Sequence, residues 1–456
     1  MTLKSVNPYT GKTIKTYPQT SPRDIERILH QASEGFELWQ KTPPGERADK
    51  LKAAGDILRK RKEEFAQLIS TEMGKLLKEA EAEVDKSALV CDYYAENGEK
   101  YLQDKPIDTE YDVSRVVYRP LGPVLAIMPW NFPFWQVFRF AAPNLMAGNT
   151  GILKHAGNVS GCSLAIASVF QEAGFPEGCF ASVLLPGKET QPLIEDSRVA
   201  AVTLTGSTQA GKKVAEIAGK NLKKVVLELG GSDPYLILDD ADVELAADKC
   251  AFGRLLNAGQ SCIGAKRFLV MESVYDTFLE AFKTKLEAVK PGDPLDKNST
   301  LAPLATTVFR DDLHRQVKES IKAGAKCITG GYITDPEGAF YPATILTDVK
   351  PGMPAYDEEL FGPVASVIKV ASEEEAIKIA NDTVFGLGAA VFTKDRDRAV
   401  RIAADELHSG CVFINDFVKS DPRMPFGGVK ESGYGRELAE EGFREFMNVK
   451  TVAGKV

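Results

Sequence analysis

Cys262 stands in the run Asn257-Ala-Gly-Gln-Ser-Cys262-Ile-Gly, where small and polar neighbours let the backbone bend and a ligand approach closely. Only the thiolate is a good nucleophile, and an unperturbed cysteine with a pKa of about 8.5 is mostly protonated at neutral pH. A catalytic cysteine therefore needs a base or a positive dipole beside it. Glu228, in Leu227-Glu228-Leu229-Gly230-Gly231, offers such a base: a carboxylate between two leucines at the end of an apolar run. Burial there raises a carboxyl pKa towards the range in which it takes protons at neutral pH. Taken singly, the two residues read more readily as a buried filler thiol and a surface glutamate, and it is their pairing in one chain that points to chemistry. Asn131, in Pro129-Trp130-Asn131-Phe132-Pro133, follows the apolar run Val124 to Met128. A side-chain amide fixed at the end of such a strand can donate to an oxyanion.

The elements that position these residues follow from periodicity. Residues 22 to 103 read as helices, with Leu51, Ile57, Leu58, Phe65 and Leu68 at three- and four-residue steps and a break at Met73-Gly74. Short apolar runs then alternate with helical stretches: Pro123 to Met128, Gly151 to Lys154, Phe180 to Leu185, Val199 to Thr205 and Val225 to Leu229. Strand, helix, strand is the pattern of parallel βαβ units. After Gly231 it starts again, with helices predicted at 241 to 256, 274 to 290, 373 to 381 and 396 to 406, and strands at 267 to 271, 364 to 370 and 388 to 393. Strand-like segments at Tyr111 to Tyr118 and Phe446 to Val452 offer an exposed edge for another subunit. The run Thr205-Gly206-Ser207, between a strand and a helix, presents helix N-terminal N–H groups to a phosphate, although it lacks the GxGxxG spacing. Lys154 ends the strand beside it.

Composition excludes several classes. A chain of 456 residues accommodates two or three domains at roughly 100 to 200 residues each. A net charge of -8 gives no basic field for nucleic acid. Seven scattered cysteines, with no CxxC pair and no histidine at ligand spacing, predict neither a disulfide framework nor a metal site. The start lacks an apolar signal region and no window is apolar enough for a membrane span, so a cytoplasmic protein is expected.

Six separated motifs, in order, resemble the aldehyde dehydrogenase superfamily: Val6-Asn-Pro-Tyr-Thr-Gly11, Met128-Pro-Trp-Asn-Phe-Pro133, Glu228-Leu-Gly-Gly231, Gly259-Gln-Ser-Cys262, Glu359-Leu-Phe-Gly-Pro363 and Pro425-Phe-Gly-Gly-Val-Lys-Glu-Ser-Gly433. The resemblance implies an α/β fold with a Rossmann-like cofactor domain (1–107 and 121–228), a second α/β catalytic domain (229–415), a small β oligomerisation arm (108–120 and 436–456) and a return segment (416–435). It implies NAD or NADP as cofactor, a homodimer or homotetramer, and three catalytic roles: Cys262 as nucleophile, Glu228 as base for thiol and water, Asn131 as oxyanion donor. Lys154, Ala156 and Gly157 would meet the adenosine ribose, Gly206 and Ser207 the pyrophosphate, Glu359 the nicotinamide ribose. Trp130, Leu229 and Phe361 would complete the cofactor site.

Within the superfamily, Arg139 matches an arginine that grips the distal carboxylate in succinate semialdehyde dehydrogenases, and Ser420 is a second candidate for that contact. A helix-borne, salt-bridged arginine is the competing reading, and Leu256 stands where some such enzymes carry a further arginine. Gly264 stands where some relatives have a second, redox-active cysteine. Gly157 replaces the glutamate with which NAD-preferring members hold both ribose hydroxyls, so NADP should be accepted, with Lys154 attracting its 2'-phosphate. Glu228 favours hydrolysis over transfer to CoA, because acylating relatives typically lack that base. No histidine among His30, His155, His314 and His408 sits in a motif supporting a cysteine hydrolase.

Overall fold

The computed structural model describes residues 2–456. Four helices, Pro22–Trp39, Pro44–Lys60, Lys62–Met73 and Leu77–Tyr101, follow an N-terminal hairpin of Thr2–Val6 and Thr13–Pro18. Gly74 ends the third helix in the left-handed region (φ 84°), where a side chain would be strained.

The first sheet has the strand order Gly433–Tyr434, Lys224–Glu228, Ala201–Thr205, Pro123–Met128, Thr150–His155, Phe180–Val183. All neighbours are parallel except the antiparallel edge strand Gly433–Tyr434. Its central strands are covered on both faces, which is why they read as continuous apolar runs. The chain builds outward from Pro123–Met128 to Phe180–Val183, then returns to place Ala201–Thr205 on the other side. The carboxyl ends of Pro123–Met128 and Ala201–Thr205 thus flank the crevice where the strand order reverses, the place at which open α/β sheets take ligands.

The second sheet runs Lys326–Thr329, Thr344–Thr347, Val364–Val370, Ala265–Met271, Asp233–Ile237, Gly388–Phe392, Cys411–Ile414, parallel but for its first pair. Several of its elements had no sequence signal. Asp233–Ile237 is five residues long and contains Pro234. The helix Thr307–Lys322 buries Arg310, Gln316 and Ser320 beside Leu313 and Val317, so its apolar period is faint.

A third sheet pairs Met447–Gly454, Val113–Pro120 and Lys105–Pro106, all antiparallel. Most of Met447–Gly454 is exposed, Val449 to 62%. Residues 436–446, grouped with this arm on sequence, pack elsewhere: Leu438, Phe443 and Phe446 are buried, and Phe443 stacks on Tyr94 of the helix Leu77–Tyr101. Their apolar side chains require a core that an exposed arm lacks. Among the described residues no helix is long and apolar enough to cross a membrane.

Candidate active site

Three consecutive residues shortly before Cys262, Asn257, Ala258 and Gly259, adopt positive φ (56°, 51° and 75°). Two of them are not glycine, and strain of this kind persists only where the surroundings hold it. The Asn257 amide donates to the carbonyls of Asn131 (2.8 Å) and Gln260 (3.1 Å). Gly259 is required: a Cβ there would lie 2.3 Å from the Gly362 carbonyl. On the other side of Cys262, the buried Lys266 ammonium donates to the carbonyls of Ser261 (2.8 Å) and Cys262 (2.7 Å) and pairs with Glu359 (3.5 Å). The loop carrying Cys262 is therefore clamped from both ends. Lys266 escaped the sequence reading because a lysine opening a strand carries no distinguishing signal.

Burial pushes the Cys262 thiol up to about 12, against the pull of Arg139 and Lys266. Such a thiol is protonated at rest and needs a base. Glu228, at the end of its strand, is 1% exposed and neither carboxylate oxygen has a hydrogen-bond partner among the described residues. Desolvation and the nearby Glu437 raise its pKa well above the usual carboxylate range, while Arg139 opposes them. Asn131 is also buried. One of its amide hydrogens goes to the Gln260 carbonyl (3.0 Å), its Oδ1 accepts from Gln136 (3.1 Å), and its backbone carbonyl accepts from Lys75 (2.9 Å). The second amide hydrogen is left for a ligand.

A cavity of about 390 Å³ opens beside Cys262, lined by residues that include Phe132, Trp135, Arg139, Ile263, Phe417 and Ser420. Arg139 differs from its reading as a free carboxylate clamp. Its guanidinium is buried, ion-paired with Glu437 and 4.7 Å from the Phe426 ring. The helix Trp135–Ala147 directs it inward to Glu437, rather than leaving it unpaired. Ser420 does face the cavity, and its Oγ accepts from Trp135 Nε1 (3.1 Å) and Lys86 Nζ (2.9 Å). Lys86, also in the cavity wall, was missed because in Val84-Asp85-Lys86-Ser87 it reads as one more charge on a helix surface.

Toward the crevice of the first sheet, Lys154 is buried, and its ammonium finds no carboxylate or hydrogen-bond acceptor among the described residues. Desolvation alone holds its pKa down. A buried cation without an anion is what a phosphate-bearing ligand would satisfy. Ala156 is half-buried, and Gly157 begins a short helical turn without positive φ. Gly206 and the exposed Ser207 precede the helix Thr208–Lys220, whose first turn Ser207 caps through Ala210 N–H (3.3 Å). Glu359 accepts from Gly231 N–H (3.1 Å). Trp130 stacks on Phe309 (4.8 Å) and meets Phe361 edge-on (5.9 Å). Leu229 is turned into the core over Gly211, where a Cβ would meet it at 2.5 Å. The donor set fits a nicotinamide dinucleotide: an unpaired buried cation, a capped helix N-terminus and a carboxylate on one crevice. No cluster of three metal-ligating side chains occurs among the described residues.

A model of the "Aldehyde dehydrogenase family" matches residues 1–452. A Synechocystis protein named probable NADP(+) succinate-semialdehyde dehydrogenase is 48% identical over 452 residues, covering 99% of each chain. An Escherichia coli NAD(P)+ succinate semialdehyde dehydrogenase is 47% identical over 98% of this chain and 97% of its own. The crystal structure of succinic semialdehyde dehydrogenase from Streptococcus pyogenes, in complex with NADP+, superposes with a TM-score of 0.97 at 38% identity, covering 100% of both chains. With its motifs converging on one crevice and one cavity, this chain belongs to the aldehyde dehydrogenase family.

Proposed function

We propose that this protein oxidises succinate semialdehyde to succinate through a thioester on Cys262, with NADP as an accepted cofactor. The observation that carries the reading is the placement of a clamped, half-buried thiol at a cavity whose wall also holds the hydrogen-bond donors of Ser420 and Lys86. The names of the relatives above support the same substrate and cofactor.

In this reading Glu228 takes the thiol proton and the thiolate adds to the aldehyde carbon. The free amide hydrogen of Asn131 then donates to the developing oxyanion in a site shielded from bulk water, where such a bond counts most. Lys154, Gly206, Ser207 and Glu359 would hold the dinucleotide, and its oxidised nicotinamide supplies the hydride acceptor when bound. Once Glu228 has released the thiol proton to solvent, it removes a proton from the water that attacks the thioester; the C–S bond breaks, the Cys262 sulfur leaves as thiolate, and the acid departs. Arg139 and Glu437 act on this carboxylate from opposite directions, one favouring its charge and the other opposing it. Lys266 and Asn257 keep the sulfur in place.

The exposed strand Met447–Gly454 supports a homo-oligomer in which this arm pairs with another copy. The function is tested by incubating the protein with NADP or NAD and a panel of short aldehydes while following reduced cofactor. Succinate semialdehyde should give the highest kcat/KM. An uncharged aldehyde turned over better would overturn the substrate assignment, and no turnover of any aldehyde would overturn the activity.

A further inference from the structure

The walls of the cavity beside Cys262 are largely carbon, yet they hold a cation without a counter-charge. Lys86, on the helix Leu77–Tyr101, donates its one hydrogen bond among the described residues to Ser420 Oγ at 2.9 Å, and its ammonium lies 4.2 Å from the centre of the Trp135 ring. No carboxylate oxygen of the described residues comes within 4 Å of it. Other charged groups of the same lining are engaged: Arg139 with Glu437, Glu83 with Lys75, Asp421 with Arg423 and Lys419 with Asp416. Glu79 accepts from Asn257 N–H. Desolvation, reinforced by Arg139 and Lys419 and opposed at longer range by Asp421 and Glu83, pushes the Lys86 ammonium down to about 7. A cation so placed is costly to bury alone and favourable once an anion joins it.

Ser420 makes the same demand from the other side. Its oxygen already accepts two hydrogen bonds, from Lys86 and from Trp135 Nε1, so its lone pairs are used. The hydroxyl proton remains to be donated, and no group among the described residues receives it. An ammonium and a hydroxyl proton converge without an acceptor, and a carboxylate, with two oxygens and no protons, is the small group that satisfies both.

We propose that Lys86, together with Ser420, binds the carboxylate at the far end of the substrate, and that this lysine rather than Arg139 selects aldehydes carrying a terminal acid. The proposal rests on the succinate semialdehyde reading above. The selecting cation comes from the helix Leu77–Tyr101, whereas Lys154 of the cofactor crevice lies in the strand Thr150–His155, so charge recognition and cofactor binding use different elements.

The test compares wild type, Lys86→Met, Lys86→Arg and Ser420→Ala with succinate semialdehyde and with butanal, which has the same carbon chain and no acid. Charge-assisted hydrogen bonds imply that Lys86→Met lowers the ratio of kcat/KM for the acid over butanal by roughly 10- to 100-fold, mostly through KM. Lys86→Arg should restore most of the ratio, and Ser420→Ala should lower it less than Lys86→Met. Succinate should compete with butanal in the wild type and lose that competition in Lys86→Met. A Lys86→Met enzyme that keeps the wild-type ratio and succinate inhibition overturns the proposal, while a wild type with no preference for the acid overturns the substrate reading beneath it. Should Lys86→Met not fold, Lys86→Gln read against Ser420→Ala decides the matter by the same ratio.

Discussion

Two charged regions around Cys262 are built on opposite principles. Around Glu228, the charges answer one another: Arg139 is paired with Glu437 and biases both Glu228 and Cys262. Around Ser420, Lys86 and a hydroxyl proton await a partner that the protein does not supply. The difference teaches what each region is for. Charges that are satisfied internally set the protonation of groups that react with every substrate, whereas donors left unsatisfied discriminate among substrates. Mutations should therefore separate into those that lower all turnover and those that change only preference.

The largest expected effect belongs to Cys262. Cys262→Ala should abolish turnover of charged and uncharged aldehydes alike while leaving NADP binding, followed by fluorescence titration, intact. Retained turnover would remove the covalent mechanism. Glu228→Gln should lower steady-state turnover by about 10²- to 10⁴-fold, the usual contribution of a general base, for both aldehydes.

Arg139→Met sharpens the contrast most. Breaking a buried pair strands the remaining charge at a cost of roughly 3–5 kcal/mol, so the melting temperature should fall and kcat/KM should drop for butanal as much as for succinate semialdehyde. A loss confined to succinate semialdehyde would return the clamp role to Arg139. Glu437→Gln probes the same region by pH. Glu437 holds the Glu228 pKa up, so its neutralisation lowers that pKa; the base is then ionised at lower pH, and the acid limb of the kcat profile should move to lower pH. An unmoved or upward-shifted limb would contradict the coupling.

The smallest effect lies at the cofactor. Gly157→Glu places a carboxylate near Lys154, where it should disfavour a 2'-phosphate and accept from ribose hydroxyls, lowering the NADP over NAD ratio of kcat/KM by about tenfold or more. Residue 157 has no positive φ, and a Cβ there meets only the end of the Leu3 side chain, at 3.3 Å. Gly157→Gln adds similar bulk without charge, and an equal shift in both variants would rule out the electrostatic reading.

What was legible in the sequence follows from range. The strand Pro123–Met128, the helix Glu373–Asn381 and the strand Val364–Val370 are local patterns, and the apolar run or periodicity that forms them is written in consecutive residues. Cys262, Glu228 and Asn131 stand in local motifs that mark them for attention. The neighbours that tune them are far away in the chain: Arg139 meets Glu437, and Lys86 meets Ser420, across some 300 residues. No window contains such pairs, so the choice between a carboxylate clamp and a salt-bridged arginine at Arg139 stays open in the sequence, and Lys86 carries no mark there. Residues 436–446 read as part of an exposed arm for the same reason, since their burial depends on the helix Leu77–Tyr101.

The central claim is a covalent acyl-enzyme on Cys262 resolved by Glu228, and acid-quenched rapid mixing of Glu228→Gln with succinate semialdehyde and NADP tests it directly. The account predicts a burst slowed by loss of the base for the thiol but still reaching one reduced cofactor per site, little further turnover, and a succinyl group located by peptide mass spectrometry on Cys262 alone. A full burst with Cys262 unmodified, or an acyl group on another residue, would contradict it.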